Sequence, residues 1–523
     1  VSRASRLGPS VRCMNKHGFH YFAARNSDAA AVIDHDGTTW SRGSLRDLAD
    51  GIAGAFALAG LAPGDVVAVV APNCAEYLAV YLAGIAAGLY VVPVNWHLAA
   101  PEIDHVILNS RAKAIVAHAK LGCRRLDTLR AHAEHMKACV SIGPADGFEE
   151  LHTFVAGVAG RPLDASLPMG RMLPFTSATT GLPKAVWRSL DGAPSAMRKF
   201  IEWHLALGVS LEDDNVHLCS AMLYHAAPLE GARNALEMGH TVVLMQSTDV
   251  LAVLDAIERF RVTTTFLIPT MFVRLLQLPA EERERHSVRS LRFVVHGGAP
   301  CASEVKRQMI AWWGPVLWEA YGATEAQGTI VSSEDWLRRP GTVGKAIAGS
   351  RLAILDGTGR ELPPGEIGAV YVAHYTGERF EYYGDGSKTR ACVRGDLVCV
   401  GDVGYVDDEG YLFLCGRETD LIISCGMNIY PAEIENALIA HPAVADCAVV
   451  GVADRLLGET PRAIVQLADN AVPSADLTRD LLAFLGTRLA VMKLPRRIEY
   501  RRRLPRDANG KLLRRALRQE ISA

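Results

Sequence analysis

Residues 175 to 186 read FTSATTGLPKAV. A run of small and hydroxylated residues, then a Gly-x-Pro turn and a lysine, makes a poor strand and a poor helix. It presents donors well: hydroxyls, unpaired backbone N–H groups and an ammonium all converge on whatever sits inside such a loop. A polyphosphate suits that donor set. The loop is not the G-x-x-x-x-G-K-[ST] phosphate loop, because within it only Gly181 precedes Lys184.

Other stretches able to do chemistry follow in order: LYHAAP at 223 to 228, HGGAP at 296 to 300, YGATE at 321 to 325 and VGDVGYVDDEGYLFLCGR at 400 to 417. Then come GMNIYPAEIE at 426 to 435, GVADRLLGE at 451 to 459 and LPRDANGKLLRRALR at 504 to 518. With the hydroxyl-rich loop they resemble the ordered motifs of the adenylate-forming superfamily, which includes acyl-CoA synthetases, nonribosomal peptide adenylation domains and luciferases. The family's loop usually reads T-S-G-T-T-G-x-P-K-G-V. In appearance the chain is similar to a full-length bacterial fatty-acid or aryl-acid–CoA ligase.

The chemistry of that family accounts for the residue types. A carboxylate is a weak nucleophile facing an α-phosphate ringed by negative oxygen, so charge has to be neutralised there and on the departing pyrophosphate. The resemblance implies that Thr176, Ser177, Thr179, Thr180, Gly181 and Lys184 hold the β- and γ-phosphates, that Glu325 binds Mg2+ and that Thr324 contacts the α-phosphate. It places Gly298, Ala299, Pro300, Tyr321 and Gly322 around adenine, Asp402 on both ribose hydroxyls, and Arg417 beside them. His225, after Tyr224, matches the family's substrate-gating aromatic pair. Lys511 corresponds to the lysine that swings in to bridge carboxylate and α-phosphate; it then withdraws as a small domain rotates and the segment at Gly426 takes its place for thioester formation with CoA.

Departures from the family pattern fall at Ala178, Ala185 and Cys425, each standing where relatives carry glycine, and at Thr419, where Asp or Lys is usual before Asp420. An alanine forced to positive φ costs about 1 kcal/mol, enough to distort a loop without abolishing it. A side chain at 425 is expected to narrow the passage for the pantetheine arm. Glu230 and Arg233 follow His225; they either pair with each other at the rim of an acid pocket or face in and select an acid bearing a polar group.

The elements that position these residues can be read from periodicity. Helical patterns such as LRDLADGIAGAFALAGL alternate with short apolar strands (DVVAVVA, LYVVPV, AKAIVAH) between 30 and 120, and the rhythm resumes in TVVLMQ, DVLAVLDAIERF, TTTFLIP and SLRFVVHGGAP. From 350 to 415 short strands with Asp-Gly and Glu-Gly turn signals indicate antiparallel hairpins. After Arg417 comes a shorter α+β unit with helices in PAEIENALIAHP and LTRDLLAFLGTRLA. The expected fold class is therefore α/β: a large amino-terminal domain, 1–417, of βα-built sheets with an antiparallel β subdomain, then a small α+β carboxy-terminal domain, 418–523, mobile by resemblance and carrying Lys511.

Composition narrows the partners. A net charge of -2 over 523 residues argues against bulk attraction to nucleic acid. The ten basic residues between Arg496 and Arg518 are expected to face nucleotide and CoA phosphates instead. Eleven cysteines without C-x-x-C fit neither a disulfide framework nor a zinc site, and a reducing cytoplasm is the expected location. The start has basic residues but no apolar core of a secretory signal. The uncharged stretch 77–94 ends in VVPV, which leaves about a dozen helical residues, a buried core helix and not an integral membrane segment. His132 and His135 are expected at the surface, with no third metal ligand near.

The expected activity is ATP-dependent activation of a carboxylic acid to an acyl-adenylate with release of pyrophosphate, then transfer to CoA. The substrates are a small acid, ATP with Mg2+, and CoA; a homodimer is compatible with this reading. Within the same fold the alternative is an adenylate-former that skips CoA, passing the adenylate to an amine or oxygen, or activating nitrite to diazotise an arylamine. A nucleotide-binding regulator without catalysis is the reading from a different class, set against it by the retention of Glu325, Asp402 and Lys511.

Overall fold

The computed structural model describes residues 18–158, 166–176, 183–211, 214–425, 427–469, 471–506 and 512–522. Contacts divide the chain into two compact units. One runs through Phe266 and adds His286–Val294 and Thr376–Ala391; the other takes Leu267–Arg285, Val295–Tyr375 and the chain from Cys392 onward.

The first unit is the βα-built part. Its parallel sheet runs Glu149–Glu150, Ala138–Ile142, Ala114–His118, Val66–Val70, Tyr90–Pro93 and Arg171–Met172 in spatial order. Every residue of Val66–Val70 is buried, as expected for a parallel strand covered on both faces. The apolar stretch beginning at Tyr77 forms the helix Ala75–Ala86, whose Tyr77 and Tyr81 are fully buried, and then the strand Tyr90–Pro93. Among the described residues no helix is long and apolar enough to cross a membrane. A second set of strands, Val216–Cys219, Thr241–Leu244 and Ala30–Ile33, pairs in parallel, with Thr39–Ser41 antiparallel at its edge.

In the second unit the pattern changes to antiparallel, as the turn signals require. Leu352–Leu355, Gly368–Ala373, Leu397–Val406, Leu412–Arg417, Thr342–Ala346, Gln327–Ser332 and Leu317–Gly322 neighbour one another in that order. Two of its turns share one device. Asp356 Oδ1 accepts from the backbone N–H of Thr358 and Arg360, and Asp407 Oδ1 accepts from those of Glu409 and Tyr411. An aspartate at the start of a turn satisfies donors that the strand ladder leaves open.

From Ile422 the same unit contains a further sheet of Met427–Ile429, Ile422–Ser424, Gly458–Leu467 and Val444–Asp454, with Arg497–Tyr500 parallel to Gly458–Leu467. Its faces bury Ile434, Leu438, Leu481 and Leu485 on one side and Leu504 and Leu517 on the other, so this segment has cores of its own. Every cysteine among the described residues is a free thiol.

Candidate functional site

Within the second unit the strand Leu317–Gly322 carries Tyr321 toward Asp402. The Tyr321 hydroxyl donates to Asp402 Oδ2 at 2.8 Å, and Arg417 Nε lies 3.3 Å from Oδ1. Asp402 and Arg417 face each other directly across the Leu397–Val406 and Leu412–Arg417 ladder, so backbone pairing fixes their approach. Burial, then the neighbouring carboxylate, pushes the Tyr321 phenol well above its ordinary value, so it stays a neutral donor. An ionised carboxylate offers about four lone-pair sites, so two protein donors leave Asp402 able to accept from two hydroxyls of a ligand.

Thr324 and Glu325 sit in the tight turn after that strand, where Ala323 N donates to Ala326 O at 2.7 Å. Gly322 is needed there: a Cβ would lie 2.7 Å from Gln327 Cα and 2.9 Å from Ala326 O. Thr324 is half-buried and Glu325 is 8% exposed. Gly298 follows the strand Phe293–Gly297 with φ +78, the left-handed region that glycine enters without strain; Ala299 is half-buried and Pro300 exposed after it.

Beneath these two turns lies a group that sequence reasoning missed. Lys306, wholly buried on the helix Ser303–Trp313, donates to Glu319 Oε2 at 2.7 Å and stands 4.9 Å over the Trp336 ring. His296 Nε2 is 3.9 Å from the same carboxylate oxygen; burial first, and Lys306 second, hold it well below its ordinary value and therefore neutral. Glu319 is two residues before Tyr321 and His296 two before Gly298, so the buried ion pair fixes the helix Ser303–Trp313 to the strand that ends in the first turn, and the neutral His296 packs beside it from the strand that ends in the second. A lone lysine on an otherwise ordinary helical stretch gave no signal of this.

Within the first unit, the base of the hydroxyl-rich loop is a narrow hairpin: Phe175 and Ala185 bridge in antiparallel fashion and Thr176 N donates to Lys184 O at 2.9 Å. Ser177, Ala178, Thr179, Thr180 and Gly181 lie outside the described residues. Ala185 is buried and has ordinary negative φ, so the alanine there carries none of the strain that a glycine position could imply. Lys184 ion-pairs with Asp385.

His225 occupies the position before the helix Ala226–Glu237, with its ring edge-on to Tyr224 and the centroids 4.3 Å apart; His97 stacks on Trp96 with centroids 3.7 Å apart and lies edge-on to Tyr224 with centroids 6.0 Å apart. The segment before His225 is held by Asn73, also missed in the sequence. Its Nδ2 donates to Ala221 O at 2.9 Å and Met245 O at 2.7 Å, and its Oδ1 accepts from Leu223 N at 2.7 Å.

For Glu230 and Arg233 the structure favours the first of the two alternatives, and His132 lies deeper than expected. Glu230 and Arg233 do pair, at 3.2 Å, but the arginine is only 8% exposed and also approaches Glu237 at 3.6 Å, while Glu230 accepts from the Tyr81 hydroxyl. The charges pair within the helix Ala226–Glu237, and the Tyr81 hydroxyl links Glu230 to the helix Ala75–Ala86, so they give no reason to expect a polar acid. His132 is half-buried, with its Nε2 2.7 Å from Oδ1 of the more exposed Asp104, and His135 is exposed as expected.

In the segment from 418 onward, Arg518 donates to Thr419 O at 2.8 Å, and both Arg514 and Arg518 approach Asp420, at 3.5 and 3.4 Å. Arg514 also forms two 2.6 Å bonds to Glu435. Lys511 and Gly426 lie outside the described residues. The flanks of Lys511 meet: Arg506 and Leu512 bridge, and Arg506 donates twice to Asp446, at 2.8 and 2.7 Å. Cys425 is exposed with φ +48, directly after the strand Ile422–Ser424, which pairs with Met427–Ile429.

The family model "AMP-binding enzyme" matches residues 19–378, and "AMP-binding enzyme C-terminal domain" matches 433–511. A fatty acid–acyl-carrier-protein ligase from Streptomyces coeruleorubidus is 32% identical over 96% of this chain and 95% of its own length. A feruloyl-CoA synthase from an Amycolatopsis species is 33% identical over 95% of this chain and 97% of its own. Among solved structures, an amide bond synthetase from Marinactinospora thermotolerans superposes with a TM-score of 0.83 at 28% identity, covering 96% of this chain and 99% of that one.

Proposed function

The chain belongs to the AMP-binding enzyme family, and from that premise we propose that it is an acid–CoA ligase acting through an acyl-adenylate. The supporting observation is the meeting of Tyr321, Arg417 and Asp402 beside the turn that presents Thr324 and Glu325. A fixed carboxylate for ribose next to a hydroxyl and a second carboxylate is the donor and acceptor set that a nucleoside triphosphate needs.

In this reading a carboxylate oxygen attacks the α-phosphorus and the bond to the bridging oxygen breaks, releasing pyrophosphate. The thiolate of CoA then attacks the acyl carbon, and AMP leaves with the former carboxylate oxygen. Asp402 holds ribose, Gly298, Ala299 and Pro300 with Tyr321 and Gly322 border adenine, and Thr324 meets the α-phosphate. The loop residues Thr176, Ser177, Thr179, Thr180 and Gly181 with Lys184 take the β- and γ-phosphates. His225 borders the acid, Lys511 bridges it to the α-phosphate, and Gly426 lies where the thiol arm arrives. A boundary at about residue 417, in this reading, would let the segment that carries Lys511 and Gly426 turn.

Mg2+ keeps several waters and takes one or two carboxylates plus substrate phosphates. Glu325, nearly buried beside the Thr324 hydroxyl, fits an ion completed by the triphosphate. When bound, the ion neutralises phosphate charge. Free thiols throughout the described residues suit a reducing compartment.

The exposed Cys425 at positive φ supports a second reading for the acceptor alone, in which the adenylate passes to an amine or another nucleophile. A panel of carboxylic acids, with nitrite plus arylamine as a further member, assayed for pyrophosphate release with and without CoA, separates the two. Sustained turnover only with CoA supports the ligase; equal turnover without it, given an amine, supports the second reading.

Replacing Cys425 with glycine is expected to raise stability by about 1 kcal/mol, because an L-residue in the left-handed region is strained and glycine is not. Pyrophosphate release should be unchanged and thioester formation kept or raised. Thermal melting and the two half-reactions measure all three, and a lower melting temperature would contradict the strain assigned to this turn.

A further inference from the structure

The segment Thr376–Ala391 belongs to the compact unit of the hydroxyl-rich loop, although its neighbours in sequence on both sides belong to the other. It is fastened there repeatedly. Arg171 forms a two-bonded pair with Glu378, at 2.6 and 2.7 Å and largely buried, and Lys199 Nζ donates to Thr376 O at 2.7 Å. Glu381–Tyr382 pairs with Val186–Trp187, which leaves the loop, and Tyr383 N donates to Ala185 O at 2.9 Å. These contacts bring Asp385 to Lys184.

Asp385 is itself fixed before it meets the lysine. Its Oδ1 accepts from Ser387 Oγ and from Lys388 N, both at 3.0 Å, which leaves Oδ2 for the Lys184 ammonium. The lysine's hydrogen bond first, then those of Lys388 N and Ser387, hold the Asp385 carboxyl down at about 2, so that carboxylate is ionised throughout the neutral range. An ammonium has three donors. One spent on Asp385 orients the flexible four-carbon stem and leaves two for a phosphate.

We propose that Asp385 is a positioning residue for Lys184, setting the lysine in place before a triphosphate arrives. The assignment rests on the reading of Lys184 as a phosphate ligand. It adds a residue outside the motifs that carry the family resemblance, in a stretch, YYGDGSKT, that reads as a surface turn.

The test uses the full chain and calorimetric binding of three probes: Mg·ATP, magnesium tripolyphosphate and adenosine. Asp385→Asn keeps the shape and the acceptor for Ser387 and Lys388 but removes the charge facing Lys184. It should weaken ATP and tripolyphosphate alike by roughly three- to tenfold, the cost of immobilising one long side chain on binding, and leave adenosine unchanged. In a Lys184→Ala background the same change should have no further effect on either phosphate probe, because Asp385 acts only through the lysine. Tripolyphosphate binding by Asp385→Asn as tight as or tighter than wild type, or an equal loss with and without Lys184, would overturn the assignment while leaving the phosphate role of Lys184 intact. If Lys184→Ala alone binds tripolyphosphate normally, that role falls, and this assignment with it.

Discussion

Lys511→Ala is expected to slow adenylate formation by about 10²-fold or more while Mg·ATP affinity stays within a few-fold. The lysine's proposed task concerns charge that develops as the carboxylate attacks the α-phosphorus, and removal of one such electrostatic contact typically costs two to three orders of magnitude in rate. An interaction made only in the transition state lowers kcat and kcat/KM together, without a matching change in nucleotide binding. The lysine sits between Arg506 and Leu512, which bridge each other. The two bonds from Arg506 to Asp446 hold the incoming strand end, so an alanine at 511 leaves those anchors in place. Single-turnover pyrophosphate release with a cognate acid measures the effect. A variant that releases pyrophosphate at nearly the wild-type rate removes Lys511 from the mechanism.

Asp402→Ala should instead lose affinity and rate together. Its two oxygens are already held by Tyr321 and Arg417, so the carboxylate meets ribose without rearrangement. Charge-assisted hydrogen bonds contribute roughly 1.5–3 kcal/mol each, and loss of two, partly offset by water entering the site, is expected to weaken ATP by about 10²-fold. 2′,3′-Dideoxy-ATP gives the matching control. It should bind wild type weakly and bind Asp402→Ala no worse than ATP does. If the variant still prefers ATP over the dideoxy nucleotide as strongly as wild type, the ribose contact belongs to another residue.

Much of this arrangement was legible in the chain because it depends on short-range chemistry. Alternation of buried strands and helices predicted the βα-built unit, and Asp-Gly and Glu-Gly turn signals predicted the antiparallel part. The helix Ala75–Ala86 and strand Tyr90–Pro93 emerged from a stretch that hydropathy alone would have read as a membrane span, because its Pro-containing apolar end marks a strand. Tyr321, Asp402 and Arg417 came from the resemblance to the family's ordered motifs; the ladder pairs Asp402 with Arg417, and a hydrogen bond joins Tyr321 to Asp402.

What could not be read depends on partners far apart in sequence. Lys306 and Glu319 look like ordinary surface charges until the fold buries them against each other. Asn73 is an isolated polar residue until three backbone groups from two later segments converge on its amide. Arg233 looked like a clue to substrate because its acidic neighbours one helical turn away on each side were not weighed together. The fit of Ala185 and the strain at Cys425 are backbone properties that residue type alone does not disclose.

The central claim is that the acid's own oxygen attacks the α-phosphorus. Supplying a cognate acid labelled with 18O in both carboxylate oxygens, together with ATP and CoA, and weighing the nucleotide product by mass spectrometry, tests it most directly. The account predicts AMP carrying one labelled oxygen, with pyrophosphate unlabelled. Unlabelled AMP, or ADP with label in inorganic phosphate, would contradict it.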